Sequence, residues 1–231
     1  MSEVEWSAPL GSAGRLEVRE LLSPDAWARY FAADPGSTVD LATFMLLGEE
    51  IRVGAGRSTR SVTSGGTLVG DLDLSAVPDP AGGWEKPLTL LGEAGLVTRH
   101  ADEDRGSRVR GPLRFLRIAG GAGCWVWHFE GGRAAGERLV LSRAEAPGAA
   151  EPLVTTHPAG HGRRLGNPQG GATLDTHVTD WQADASAAEV LLAELLAVAR
   201  LDGLVDYRPA RVESGFSDLL DLAPRAEANT D

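Results

Sequence analysis

Apolar and polar residues alternate through most of the central part of the chain. In Arg15–Leu21 apolar side chains alternate with charged ones, which is the period-two pattern of a half-buried β-strand. Similar short runs, interrupted by glycine, recur from Thr38 to Leu74 and from Pro87 to Trp181. Ser64-Gly-Gly66 separates two of these runs and has the chemistry of a hairpin turn, because glycine adopts positive φ without steric strain. The pattern predicts an antiparallel meander.

Helix start signals precede two other segments. In Ser23–Phe31 a serine cap is followed by proline at the first helical position, and aromatic residues recur on one face. Near the C-terminus, Ser186 and Glu189 form a capping box, which predicts a helix over 187–201 that ends at Gly203. This second helix is apolar around most of its circumference, so it needs cover on more than one side. It lies either between a sheet and another element or in an oligomer interface.

Together these elements predict a β-rich α+β protein. The expected fold is an antiparallel meander, either a sandwich or an open barrel, with a short N-terminal helix and a long C-terminal helix packed on it. Residues 1–222 are expected to form one domain, and residues 223–231 a disordered tail. The alternative is a split into two lobes near residues 78–83, where proline and glycine are concentrated.

Composition and charge narrow the environment and the partners. With a formal net charge of −11, the molecule as a whole repels phosphate backbones and anionic lipids, so no nucleic acid partner is expected. No apolar stretch approaches the roughly 20 residues that cross a bilayer, and the N-terminus is acidic, unlike a secretory signal. One cysteine, Cys124, allows no internal disulfide. We therefore expect a cytoplasmic protein that does not contact a membrane. Its many arginines and single lysine are typical of a GC-rich bacterial genome.

The segment from His157 to Gly171 has the strongest functional character. It is a long loop between two strand signals, and it contains His157, His161, Arg163, Arg164 and five glycines. Arginine binds carboxylates and phosphates, and glycine lets backbone amides approach an anion. We expect His157, Arg163 and Arg164 to bind a small anionic substrate, and the alternative is a flexible surface connection. The segment matches neither a phosphate-binding P-loop nor a dinucleotide fingerprint.

Asp175 and His177 lie two residues apart on the next predicted strand, so they share one face. With His161 or His157 from the loop they form a candidate acid–base or metal constellation, in which a carboxylate orients an imidazole. The sequence predicts His177 or His161 as a general base and Asp175 as the group that positions it. Purely structural histidines are the alternative, and no metal or cofactor is assigned.

A row of aromatic residues occupies one face of another predicted strand. Trp125, Trp127 and Phe129 alternate with Cys124, Val126 and His128, which face the other side. The row is a candidate contact surface for a partner or the lining of a ligand cavity, and core packing would give the same pattern.

Two functions are compatible with these features. The first is a non-catalytic assembly or partner-binding protein, in which the aromatic row and the apolar helix contact a protein partner or a second copy of the chain. The second is a small-molecule enzyme, in which the Asp175–His177 pair transfers protons and the loop arginines hold an anionic substrate. The sequence favours the first only because no recognised catalytic motif supports the second.

Overall fold

The period-two pattern produces a closed antiparallel barrel in the computed structural model, which describes residues 3–22, 38–56, 59–74, 85–107, 111–121, 123–132, 136–158 and 173–198. Within these residues, twelve strands follow one another around the barrel in sequence order, and β1 closes the ring by pairing with β12 and β2. The strands are β1 Gly14–Leu22, β2 Val39–Leu46, β3 Glu49–Ala55, β4 Thr59–Ser64, β5 Thr67–Asp73, β6 Glu85–Leu90, β7 Glu93–Ser107, β8 Gly111–Gly120, β9 Gly123–Gly132, β10 Gly136–Ser142, β11 Val154–Pro158 and β12 Thr173–Trp181. The described helices are α1 Glu3–Ser7 and α2 Ala187–Val198. The β-rich antiparallel meander is confirmed.

The alternation has its expected physical cause. On β3, Ile51 and Val53 are fully buried in the barrel interior, whereas Glu50 and Arg52 are exposed and form an ion pair on the outer surface. Because successive strand residues point to opposite faces, β3 supplies an apolar row to the interior and a charged row to solvent, whereas on β9 the face opposite the tryptophans also contains buried residues, Val126 and His128.

Two β-bulges change the face on which some residues lie. The sequence places Leu68 on the same face as Leu72, but the register shifts between Val62 and Thr63, and an extra residue in β5 separates the two leucines. Leu72 is therefore fully buried while Leu68 is 59% exposed. A second shift, between Asp40 and Ala42, buries two successive residues of β2, Leu41 and Ala42.

Helix α2 lies inside the barrel, whereas the sequence predicted a helix packed on the sheet and covered by another element or by an oligomer partner. Its residues from Ala187 to Leu196 are buried, and it contacts strands on several sides, β2 to β5 and β10 to β12. A helix that is apolar all round is stable only where it is surrounded, and the closed barrel surrounds it. The described helix has 12 residues, so the predicted long C-terminal helix is not supported. Residues 199–201 lie outside the described part.

The other predicted helix, Ser23–Phe31, also lies outside the described residues. The N-terminal helix that is described, α1, was not predicted. Its Trp6 is buried and joins the apolar core, and α1 contacts α2. The N-terminal residues therefore help to close the end of the barrel at which α2 begins.

The two ends of the barrel differ in their connections. At the turn end, where β1 begins and β12 ends, three hairpins close with two-residue turns whose residues have positive φ: Leu47–Gly48, Gly65–Gly66 and Leu91–Gly92. At the opposite loop end the connections include 23–38, 74–84 and 159–172. Helix α2 begins at the turn end, after β12, and runs towards the loop end.

The proposed lobe boundary at 78–83 and the tail 223–231 lie outside the described residues. On either side of that boundary, β5 and β6 pair directly through Gly70–Leu90, Asp71–Thr89 and Leu72–Leu88. Among the residues described, none of the helices is both long enough and apolar enough to span a membrane.

Candidate functional site

A carboxylate on the central helix lies behind His177 of β12. Glu194 is completely buried, and its Oε2 lies 2.8 Å from Nε2 of His177. Its Oε1 accepts a hydrogen bond from the Thr179 hydroxyl, which in turn lies 3.1 Å from the hydroxyl of Thr156 on β11. The side chain of His177 is 13% exposed. One polar network therefore joins α2 to β11 and β12, and only its histidine reaches the solvent-accessible surface appreciably.

Burial determines how this network behaves. A carboxylate removed from water is costly unless hydrogen bonds or a cation compensate it. His177 and Thr179 supply that compensation, because they are two residues apart on β12 and so face the same interior side. Glu194 in turn holds the imidazole in one orientation. A carboxylate that orients a reachable imidazole is the arrangement used in general acid–base sites.

Glu194 lies within hydrogen-bond distance of His177, whereas the sequence predicted Asp175 as the positioning group, and that prediction is not tested. The backbone of Asp175 pairs with Glu20 of β1, and its side chain lies outside what the structure describes. Sequence reasoning missed Glu194 because it treated the helix only as an apolar element. The available signal was an acidic residue in the middle of an otherwise apolar helix, where only a specific partner makes it tolerable.

His157 and His177 do not come together. On the β11–β12 ladder His157 pairs with Val178, and Pro158 pairs with His177, so the two imidazoles lie on opposite faces of the wall. Nε2 of His157 lies 3.0 Å from Oδ2 of Asp180 on the outer surface, where Asp180 also accepts a 2.6 Å hydrogen bond from Arg15.

The remaining predicted site residues, His161, Arg163 and Arg164, lie outside the described residues. The segment that contains them leaves β11 directly after Pro158, the residue that pairs with His177. Their predicted role in binding an anion stays a prediction.

A second buried carboxylate, Glu189, is held by five hydrogen bonds near the turn end. Arg143 donates two at 2.6 Å each, the indole of Trp125 donates one at 2.8 Å, and the Ser186 amide and hydroxyl donate at 2.8 and 2.9 Å. The Glu189 amide donates back to the Ser186 hydroxyl, so the predicted capping box is confirmed. Burial acts to raise the pKa of Glu189, but these hydrogen bonds outweigh it and the pKa lies below the ordinary value. Glu189 is a structural group.

The aromatic row on β9 belongs largely to the core. Trp125 and Trp127 are buried, and Phe129 packs against the same cluster. Their role in partner binding stays a prediction, but the burial removes the exposed row on which it was based.

The opposite face of β9 contains Cys124, which is half-buried. Burial raises the pKa of its thiol, against the opposing effect of the nearby Arg117 guanidinium. Cys124 is therefore a thiol at neutral pH, and this form is a poor nucleophile.

The lowered carboxyl pKa values predict a loss of stability in acid. Hydrogen bonding from Arg15 is the main cause that lowers the pKa of Asp180, and the pKa of Glu189 is also lowered. Both groups bind fewer protons in the folded than in the unfolded state, so their contribution is complete above about pH 5 and is lost as the pH falls through the folded-state pKa values. The free energy of unfolding in urea should fall as the pH is lowered from about 7 to about 3. Glu189→Gln should make this pH dependence shallower. An equal slope in the variant would contradict the assignment.

In the described part of the chain, no three histidine, cysteine or acidic side chains lie together as a metal site. In the part of the chain that the structure describes, the site contains one imidazole, one buried carboxylate and two threonine hydroxyls. Comparison of the chain with protein-family models, curated protein sequences and solved structures gave no match.

Proposed function

We propose that the protein is an enzyme that transfers a proton to or from a small anionic substrate, with His177 as the general acid–base and Glu194 as the residue that positions it. The observation that carries this proposal is the 2.8 Å contact between a partly accessible imidazole and a fully buried carboxylate. Burying a carboxylate in an apolar core is costly, and the imidazole that compensates Glu194 is the one member of the described network that solvent reaches appreciably.

Solvent accessibility decides which of the two residues, His177 or Glu194, exchanges a proton with the substrate. Proton transfer requires the base to come within hydrogen-bond reach of the substrate. Glu194 is shielded from solvent by the barrel, so it acts through His177. When His177 accepts a proton, the adjacent carboxylate stabilises the imidazolium in a low-dielectric environment. Thr179 and Thr156 hold the carboxylate in place.

The anionic character of the substrate is inferred from two arginines in the segment that follows β11. The segment with Arg163 and Arg164 begins after Pro158, whose ladder partner is His177. Guanidinium groups bind carboxylate and phosphate in a bidentate manner. We assign Arg163 and Arg164 to substrate binding, and His161 stays a candidate acid–base residue on the sequence alone.

The base is tested with a probe that reacts only by proton abstraction, 5-nitrobenzisoxazole. Wild-type protein should accelerate its ring opening over buffer, and His177→Gln should lower the rate by about 100-fold, the usual contribution of a general base. His157→Gln is the matched control, because His157 lies on the neighbouring strand but on the outer face. Unchanged activity in His177→Gln, or no acceleration by the wild type, would overturn the proposal. Glu194→Gln keeps the shape of the site and gives a second reading if His177→Gln does not fold.

The anion-binding part is tested in the same assay with benzoate as a competitor. Benzoate should inhibit the wild type, and the double variant Arg163→Gln with Arg164→Gln should be inhibited at least about tenfold more weakly. Equal inhibition of both proteins would remove the two arginines from the site.

A further inference from the structure

The junction between β1 and β2 is the weakest part of the barrel wall. β1 pairs with β12 along its whole length, from Gly14–Trp181 to Leu22–Thr173, but it pairs with β2 at one position, Glu20–Ala42. Strand edges without a ladder partner present backbone donors and acceptors that natural sheets cover or occupy. Within the described residues, this seam is the junction between neighbouring strands with the fewest paired positions.

A pocket of about 590 Å³ lies at this seam. Among the described residues, Arg19 of β1 and residues 38–43 line it, and its volume is within the range of sites that hold small organic molecules. The bulge in β2 gives the pocket two kinds of wall. Leu41 and Ala42 are buried in the core, whereas Asp40 and Thr43 are exposed. The described lining of the pocket therefore combines exposed polar residues with buried apolar ones.

Arg19 is the cation at the outer side of this pocket. Its side chain is 69% exposed, and its contact with Glu17 is long, at 3.4 Å. By contrast Arg15, on the same face of the same strand, is held by Asp180 at 2.6 Å. The carboxylate in the lining, Asp40, lies 3.5 Å from Arg52, which offsets its repulsion of an incoming anion. Arg19 can therefore exchange a weak contact for a bidentate one.

We propose that this seam pocket binds an amphiphilic monoanion, with a carboxylate or sulfonate head group on Arg19 and an apolar body against Val39, Leu41 and Ala42. The head group gains a charge-assisted hydrogen bond, and the apolar body is removed from water where it packs on the half-buried Val39 beside the buried Leu41 and Ala42. This inference goes beyond the proposed function, because His177 is not among the described residues of the pocket lining and the ligand need not be a substrate.

The test uses the full chain and 8-anilinonaphthalene-1-sulfonate, a fluorescent amphiphilic anion. It should bind at a single saturable site, and octanoate should displace it. Arg19→Gln should weaken the binding of both molecules at least about tenfold, and Arg19→Lys should weaken it less, because lysine keeps the charge but not the bidentate geometry. Arg15→Gln is the matched control and should change neither affinity by more than about twofold.

Equal affinities in the wild type and Arg19→Gln would overturn the inference, as would equal weakening by Arg15→Gln. Dye binding that does not saturate, or that octanoate leaves unchanged, would also overturn it. Arg19 is exposed, so its variants are expected to fold, and circular dichroism verifies this before titration. The two proposals fail separately: retained dye affinity in Arg19→Gln removes the seam site, while retained proton abstraction in His177→Gln removes the catalytic role.

Discussion

Glu189→Ala is expected to lower the free energy of unfolding by about 3–5 kcal/mol, the range for breaking a buried charged network. The substitution leaves the buried indole of Trp125 and the Ser186 amide without the acceptor that each one uses. It also removes the capping box at the start of α2 and both hydrogen bonds by which Arg143, the residue after β10, holds the helix. Because α2 lies at the centre of the core, losing the hydrogen bonds of its first turn should destabilise the whole barrel.

The measurement is urea unfolding at pH 7 followed by far-UV circular dichroism. Glu145→Ala is the matched control, because Glu145 also binds one arginine, Arg117, but has a side chain that is 70% exposed. Its loss is expected to stay below about 1 kcal/mol. Glu189→Gln keeps the acceptor oxygen and should recover part of the stability lost in the alanine variant. A loss below about 1 kcal/mol in Glu189→Ala would show that the network is not a main support of the helix.

Sequence periodicity predicted the strands well for a definite physical reason. Where a strand has one face on the core and one in water, the period-two pattern is strong, as in Ile51 and Val53 of β3. Glycine in the turn Gly65–Gly66, which has positive φ at both residues, marked a hairpin correctly.

Register and closure could not be predicted in the same way. A β-bulge adds one residue without any marked change of composition, and the exposure of Leu68 follows from such a bulge in β5. Whether the ends of a meander meet depends on twist and shear summed over all strands, which no local pattern encodes. The pairing of β1 with β12 was therefore not predictable from the residues of either strand.

The position of α2 was only half predicted. An apolar circumference indicated cover on more than one side, and the barrel provides cover all round. The sequence did not distinguish the interior of a barrel from an oligomer interface, because both bury the same apolar side chains. Glu189 and Glu194 were the signal that could have distinguished the two, since a carboxylate is buried only where hydrogen-bond donors or a cation compensate it.

The candidate site was predicted in part for a related reason. Period two placed His177 with residues of the same strand, and the structure gives it a partner on a helix 17 residues further along the chain, Glu194. Contacts between a strand and a helix inside it depend on the depth and rotation of the helix, so a sequence motif does not reveal them. His157 was grouped with His177 because the two are close in sequence. On the β11–β12 ladder, however, His157 pairs with Val178, the neighbour of His177, so the two imidazoles face opposite sides of the sheet.

His177→Leu is expected to destabilise the fold by about 3 kcal/mol, because it leaves the buried carboxylate of Glu194 with the Thr179 hydroxyl as its only described hydrogen-bond partner. Combining it with Glu194→Met should return the protein to within about 1 kcal/mol of the wild type, since replacing both members of a buried pair by apolar residues of similar volume is often nearly neutral. Thr179 keeps its contact with Thr156 in the double variant.

The four proteins of this cycle are compared by urea unfolding at pH 7, with the exposed Arg117–Glu145 pair as the control cycle. A coupling free energy above about 1.5 kcal/mol for His177–Glu194 and below about 0.5 kcal/mol for the control is expected. Additive effects of His177→Leu and Glu194→Met would mean that the imidazole does not compensate the carboxylate. The double variant also separates stability from chemistry: it should fold like the wild type and yet lose proton abstraction from 5-nitrobenzisoxazole, because the apolar pair supports the barrel but contains no base.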